Sequence, residues 1–283
     1  MVLGLLYIAC APAPAPWVDP AANDDWSGDV ATSDHVAQWD AAGVAAQFAT
    51  ATASGFPAPS VVFRDYAELM THTEASCPAD PMGGGFMELG GCNTTTGYTY
   101  RGAVGETLQD QRVTASDGSW TGSYYLMFSP ADFVIIRPDG MELDVGGNAN
   151  QQINADNHGT NWGGCISGTF RDEAEGGWLA GGFSGDVCVT GTTGGSATVD
   201  GSVSIAEAAV VYSSVTFDPS SCPDGATGGT ISVRQPDSTW YVITLLSTCG
   251  ACGDAIWDGK DDIGQVCLDF TTFFDTIPDL SAP

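Results

Sequence analysis

The chain has 283 residues, 43% of them hydrophobic, enough for one large β domain or two small ones with a real core. It carries 35 acidic side chains against 7 basic ones, a formal charge of -28, and Lys260 is its only lysine. Such a surface repels phosphate backbones and anionic headgroups, which excludes nucleic acid as a partner and leaves divalent cations or basic molecules as candidates.

The N-terminus opens with an apolar run, Val2 to Ala9, ending at Cys10. Ile8-Ala9-Cys10 resembles the end of a bacterial lipobox, in which the cysteine takes a lipid and becomes the mature N-terminus. Tyr7 stands where the motif prefers Leu, and no basic residue precedes the run. A run of about ten apolar residues is too short to span a bilayer. Residues 1–10 are therefore expected to be a signal segment. Cys10 is expected to be the anchor, with membrane contact through that lipid alone, sorting to the outer membrane and cell surface, and plain secretion as the alternative. Residues 11–33 are expected to be a tether, with alternating Ala and Pro at 11–16 making it stiff and extended. Asp24 to Asp29 looks like a calcium loop but lacks the distal bidentate Glu, so no metal site is assigned there.

Residues 34–96 read as a helical cap. Asp34 is the expected cap of a helix over 34–50, with Val36, Trp39, Val44 and Phe48 on one face and Gly43 as a weak point. Ser60 is the expected cap of a second helix, Val61–Thr71, with Val62, Tyr66, Leu69 and Met70 inward.

Residues 97–283 read as an antiparallel β domain. Strands are expected over Tyr98–Val104 and Glu106–Ala115, then along Trp120–Phe128, over Phe133–Ile136 and over Met141–Val145. Ser116–Ser119 and Arg137–Gly140 are turns. Gly146–Gly163 shows no periodicity and reads as the longest loop of the β region, with Asn148, Asn154, Asn157, His158 and Trp162 as binding-loop candidates.

The clearest signal is Trp178–Phe217. Leu179, Gly181, Phe183, Gly185, Val187 and Val189 alternate with Ala180, Gly182, Ser184, Asp186, Cys188 and Thr190. After a turn, Ala197, Val199, Gly201, Val203 and Ile205 alternate with Thr198, Asp200, Ser202 and Ser204. Period-two alternation of this length means strands covered on one side and wet on the other. Val210–Phe217, Thr230–Arg234, Thr239–Leu246, Ala255–Trp257 and Gln265–Phe270 continue the pattern, and Thr271–Pro283 is expected to dock. The expected fold is mainly β: an antiparallel meander of about eleven or twelve strands, closed as a barrel or folded as a sandwich, with two short N-terminal helices packed on it.

Setting Cys10 aside leaves Cys77, Cys92, Cys165, Cys188, Cys222, Cys249, Cys252 and Cys267. An even number in an exported chain points to disulfides, although eight cysteines allow 105 pairings. Joining chain neighbours gives Cys77–Cys92, Cys165–Cys188, Cys222–Cys249 and Cys252–Cys267. Cys249 and Cys252 form a C-x-x-C, but no βαβ unit or second close pair supports a redox or zinc reading.

No catalytic residues, metal ligands or cofactor are assigned. The chain has no nucleophile elbow, phosphate loop or dinucleotide fingerprint, and its three histidines do not pair at ligand spacing. The strands lack the aromatic girdles of a transmembrane barrel. A hydrolase acting on polysaccharide needs only two well-placed carboxylates and stays open as the alternative to a binding or structural role.

The phrases Ala75-Ser76-Cys77-Pro78, Gly91 to Tyr100, Gly228 to Arg234 and Gly264 to Phe270 resemble acidic, exported lipoproteins of myxobacterial type. The resemblance runs from about Ser60 to Phe270 and implies surface exposure without implying an activity.

Overall fold

The computed structural model describes residues 36–275 except 53–58, 81–86, 117–118, 157–158, 175–181, 193–194, 206–207 and 238. Two helices come first, α1 (Ala41–Thr52) and α2 (Pro59–Met70). Fourteen strands follow: β1 (Met87–Leu89), β2 (Cys92–Asn93), β3 (Thr99–Asp110), β4 (Val113–Thr114), β5 (Trp120–Ile136), β6 (Glu142–Asp156) and β7 (Gly159–Asp172), then β8 (Phe183–Thr192), β9 (Ala197–Ile205), β10 (Ala208–Phe217), β11 (Ala226–Arg234), β12 (Trp240–Leu245), β13 (Cys252–Trp257) and β14 (Asp261–Cys267).

They form one antiparallel sheet in the order β1-β3-β5-β6-β7-β8-β9-β10-β11-β12-β13-β14, with β2 added beside β3 and β4 beside β5. From β5 onward each strand pairs with the next in sequence, as a meander requires. The expected meander is present, with more strands than expected because short pieces at 87–93 and 113–114 also pair. Among the described residues β1 and β14 share no ladder, so the sheet is open.

The registers place one apolar face along the whole sheet. Ile135 lies opposite Tyr100 and Leu143, Val145 opposite Phe133 and Phe170, and Ile166 opposite Ala149 and Val187. Val199 continues opposite Val189, Val210 opposite Val203 and Val233, and Tyr241 opposite Val233 and Trp257. All of these side chains are buried. Because pleated neighbours in register point the same way, every one of them belongs to a single inner face.

The helices cover that face. In α1, Val44, Phe48, Ala51 and Thr52 are buried, one stripe at helical spacing. In α2, Val62, Tyr66 and Leu69 do the same. α1 rests on β9, β10, β11 and β14, and α2 on β6 and β7. β9 and β14 stand five ladder spacings apart, about 24 Å in a flat sheet. One three-turn helix touching both ends of that span needs a sheet that bends over it.

The aromatic contacts mark the seam. The Phe48 ring meets Phe270 edge-on at 5.7 Å and Tyr212 at 6.5 Å, and Phe217 stacks on Phe273 at 3.8 Å. Phe273 sits in a helical turn over 271–275, which docks as expected.

Several local expectations change. α1 begins at Ala41, not 34, because Asp40 caps it: its Oδ1 accepts from the Gly43 N–H at 2.9 Å. Gly43 therefore sits in the first turn, where it weakens little, and Val36 precedes the helix and is exposed. Asp34 lies outside the described residues. α2 begins with Pro59, whose missing N–H costs nothing at a first-turn position. The two strands expected over Tyr98–Ala115 are mainly one, β3, which runs through Gly105. Trp120–Phe128 and Phe133–Ile136 are also one strand, β5, with a bulge between Phe128 and Phe133 where Asp132 has a φ of 49°.

All four disulfides join chain neighbours: Cys77–Cys92, Cys165–Cys188, Cys222–Cys249 and Cys252–Cys267. Two of them link residues directly opposite in a ladder, Cys165 with Cys188 and Cys252 with Cys267. These two lie on the outer face, alternating with buried Ile166 and Val187 or with Gly253 and Val266.

Candidate functional site

The residues singled out between Asn148 and Trp162 do not form a loop. They belong to β6 and β7, a long hairpin paired from Leu143–Asp172 to Asp156–Gly159. Asn148 faces outward opposite Ser167, and Asn154 faces outward opposite Asn161. Trp162 points the other way, into the core, at 5% exposure. Its ring lies over Gly191, where a Cβ would stand 2.7 Å from its Cζ2. Asn157 and His158 lie outside the described residues, as do Cys10 and the Asp24–Asp29 segment. The expected loop residues are thus split between two faces of the sheet.

The structure assembles a different site, at the edge of α2. On β3 the inward positions run Tyr100, Val104, Glu106 and Leu108. On β5 the neighbouring inward positions are Tyr124, opposite Asp110, and Leu126, opposite Leu108. α2 covers the near part of this surface with Tyr66 and Leu69, and the Tyr100 hydroxyl donates to the Leu69 carbonyl at 3.0 Å. A second stripe of α2, Phe63, Ala67 and Met70, is one step round the helix from the buried stripe. It faces Leu126 across a crevice of about 350 Å³, lined by Phe63, Tyr66, Ala67, Met70, Thr71, Glu106 and Leu126. The walls are apolar except at Glu106 and at the Tyr66 and Thr71 hydroxyls. Beyond the crevice the hairpin surface stays partly uncovered, with Leu108 53% exposed.

Glu106 sets the electrostatics. The Tyr66 phenol donates to Glu106 Oε1. Burial raises the carboxyl's affinity for its proton, the Tyr66 hydrogen bond lowers it, and the charge of Asp80 raises it again; the balance is upward. Glu88 lies on β1 opposite Val104, so it points to the same face, diagonal to Glu106. Its pKa is raised too, by burial first, then by Asp80 and Glu106. Burial, followed by the charge of Glu106, pushes the Tyr66 phenol up, and Tyr100 is pushed up to about 12, mainly by burial. No described basic side chain forms an ion pair with Glu106. Arg112 at the hairpin end is held by Asp110 through Nε at 2.7 Å and lies over the Tyr124 ring at 5.1 Å.

The three carboxylates feel one another but do not make a metal centre: no group of three or more His, Cys, Asp or Glu among the described residues is placed to hold an ion. What the crevice offers is apolar surface with one partly buried carboxylate at its side.

Sequence reading missed Glu106 and Glu88, and placed Tyr66 on the inward side of its helix without a role at a site. A signal existed for Glu106: it is an ionisable residue in the apolar register of Tyr100, Val104 and Leu108. It was hidden by reading Tyr98–Val104 and Glu106–Ala115 as separate strands, which broke the register between Val104 and Glu106.

Compared with protein-family models, characterised proteins and solved structures, the chain matches none.

Proposed function

We propose that this is an exported protein, held at the cell surface by a lipid on Cys10, that binds a small apolar ligand in the crevice between α2 and the β3–β5 hairpin. The coarser part of this reading is a disulfide-stabilised, mainly β fold, and four disulfides fit an oxidising compartment. No helix among the described residues is long and apolar enough to cross a membrane.

One observation carries the binding reading: the second stripe of α2 and the inward face of β5 leave an uncovered apolar crevice of about 350 Å³. That volume sits at the small end of ligand pockets. Leu126 is the wall residue to test, because it is only half-buried and its replacement leaves the main core intact. Titrating a small neutral apolar fluorophore, naphthalene, into the folded protein is expected to give saturable binding that Leu126→Gln abolishes while circular dichroism stays unchanged. Unsaturable binding, or equal binding by the variant, removes the reading. The anchor is tested separately by lipid-probe labelling of the wild type and Cys10→Ala. Equal membrane partitioning of the two ends that part.

A second reading, hydrolysis of a surface polysaccharide, is favoured by the diagonal Glu88 and Glu106 with raised pKa on one face. It requires release of reducing ends from a polysaccharide and loss of that release in Glu88→Gln. No release by the wild type across a panel of bacterial surface glycans eliminates it.

A further inference from the structure

We infer that the ligand of the crevice is a small amphiphilic cation, with its apolar body along Phe63, Ala67, Met70 and Leu126 and its positive group on Glu106. The inference rests on the crevice being a binding site and adds the chemistry of what it takes.

Each candidate ligand class meets the crevice differently. Among the described residues Glu106 accepts one hydrogen bond, from Tyr66, yet an ionised carboxylate offers about four acceptor positions. A neutral apolar ligand would cover Glu106 and strip water from it without replacing those bonds, which is costly for a charge. An anionic amphiphile would set a second negative group beside Glu106, with Glu88 and Asp80 already acting on it. An ammonium or amidinium group reverses both penalties: it donates to Glu106 and offsets the repulsion within the acidic cluster. The raised pKa values of Glu106 and Glu88 reflect burial first and that repulsion second. The overall charge of -28 also draws cations toward the protein at long range.

Size limits the occupant. With about 30 Å³ for each water-sized group, the crevice of about 350 Å³ holds roughly a dozen heavy atoms. That suits a single alkyl or aryl amine and is too small for a folded peptide segment. The crevice is open on the hairpin side, where Leu108 is exposed, so a longer tail can run out over it.

Three probes with the same chain separate the chemistry from the crevice itself: octylammonium, octanol and octanoate, each below its aggregation concentration, titrated calorimetrically into the intact protein at neutral pH. Octylammonium is expected to bind about tenfold or more tightly than octanol, the difference expected for one charge-assisted hydrogen bond, and octanoate weakest of all. Glu106→Gln keeps an acceptor for the Tyr66 hydroxyl and is expected to erase the octylammonium preference without weakening octanol. In the wild type, acidification through the raised pKa of Glu106 is expected to weaken octylammonium without weakening octanol, a measurement that needs no variant. Equal affinities for octylammonium and octanol, or a preference that survives both Glu106→Gln and acidification, overturn the cation while leaving the crevice as an apolar site. Absence of binding by all three, together with no effect of Leu126→Gln on naphthalene binding, overturns the crevice and the cation together.

Discussion

Arg137 and Asp172, 35 residues apart, meet through two parallel hydrogen bonds, Nη1 to Oδ1 at 2.8 Å and Nη2 to Oδ2 at 2.6 Å. Arg137 opens the β5–β6 turn and Asp172 ends β7, with its side chain only 1% exposed. Asp172 Oδ1 also accepts from the Ala174 N–H at 2.8 Å. Asp65 of α2 is buried nearby, and its charge acts on Arg137. The guanidinium therefore joins the β5–β6 turn to the end of β7, and a helix carboxylate adds its charge to the same site.

Removing that cation leaves the buried Asp172 carboxylate without its ion pair. Arg137→Met is expected to cost about 3–5 kcal/mol, the usual penalty for breaking a buried pair from one side. Arg137→Met combined with Asp172→Leu is expected to cost less than the single change, because the uncompensated charge beside the turn has gone too. Urea unfolding of both variants at neutral pH measures the difference.

Phe48 is the side chain through which α1 holds the bent sheet. It is fully buried and meets rings from β10 and from the segment after β14. Phe48→Ala is expected to destabilise by about 3–5 kcal/mol. Hydrogen exchange is expected to show the loss first in α1, β10 and β14, with the β5–β7 region less affected.

Gly147 is small for a steric reason. A Cβ there would stand 2.4 Å from the Ser167 carbonyl oxygen and 2.8 Å from the Phe170 ring. Gly147→Ala is expected to cost about 1–3 kcal/mol by overpacking. Phe170→Leu in the same chain is expected to recover part of that loss, which thermal unfolding of the two variants would register.

Glu106 makes stability depend on pH in a definite direction. A carboxyl with a raised folded-state pKa binds its proton more tightly folded than unfolded. Its contribution is thus greatest below the unfolded pKa and is lost as pH rises through the folded one. Glu106→Gln is expected to raise the melting temperature relative to wild type at pH 7 and to give no gain near pH 3, below the ordinary Glu value of about 4.3. Equal shifts at both pH values would contradict the assignment.

The disulfides Cys165–Cys188 and Cys222–Cys249 close loops of similar length, with sequence separations of 23 and 27. Chain-entropy loss grows only with the logarithm of loop length. Replacing either pair by serines is expected to cost about 3 kcal/mol, with the two values within a few tenths of each other. A much larger cost for the second pair would locate its effect in the buried Cys222 side chain rather than in the unfolded chain.

Much of the architecture was legible because it is local. Val187, Val189, Val199 and Val203 lie on the covered face that their spacing predicts, and Arg137–Gly140 is the turn that its residues predict, closed by the Gly140 N–H to the Arg137 carbonyl at 2.9 Å. Only the middle of the β6–β7 hairpin was not legible, because its inward positions include Gly147, Ala149, Gln151 and Ala155, a weak apolar signal. Their small size follows in part from Phe170, which packs over Gly147 from the next strand and is 23 residues away in the chain.

The sequence by itself determined the strand class and the acidic surface, since alternation and charge are properties of neighbouring residues, while it left 105 pairings open for the eight cysteines. Only the tertiary structure decided that β3 runs unbroken through Gly105, that α2 stops short of covering it, and that Glu106 and Tyr66, 40 residues apart, share one crevice. The physical reason is that a pleat settles which side a residue takes, whereas what covers that side depends on ladders and helices brought together from distant parts of the chain.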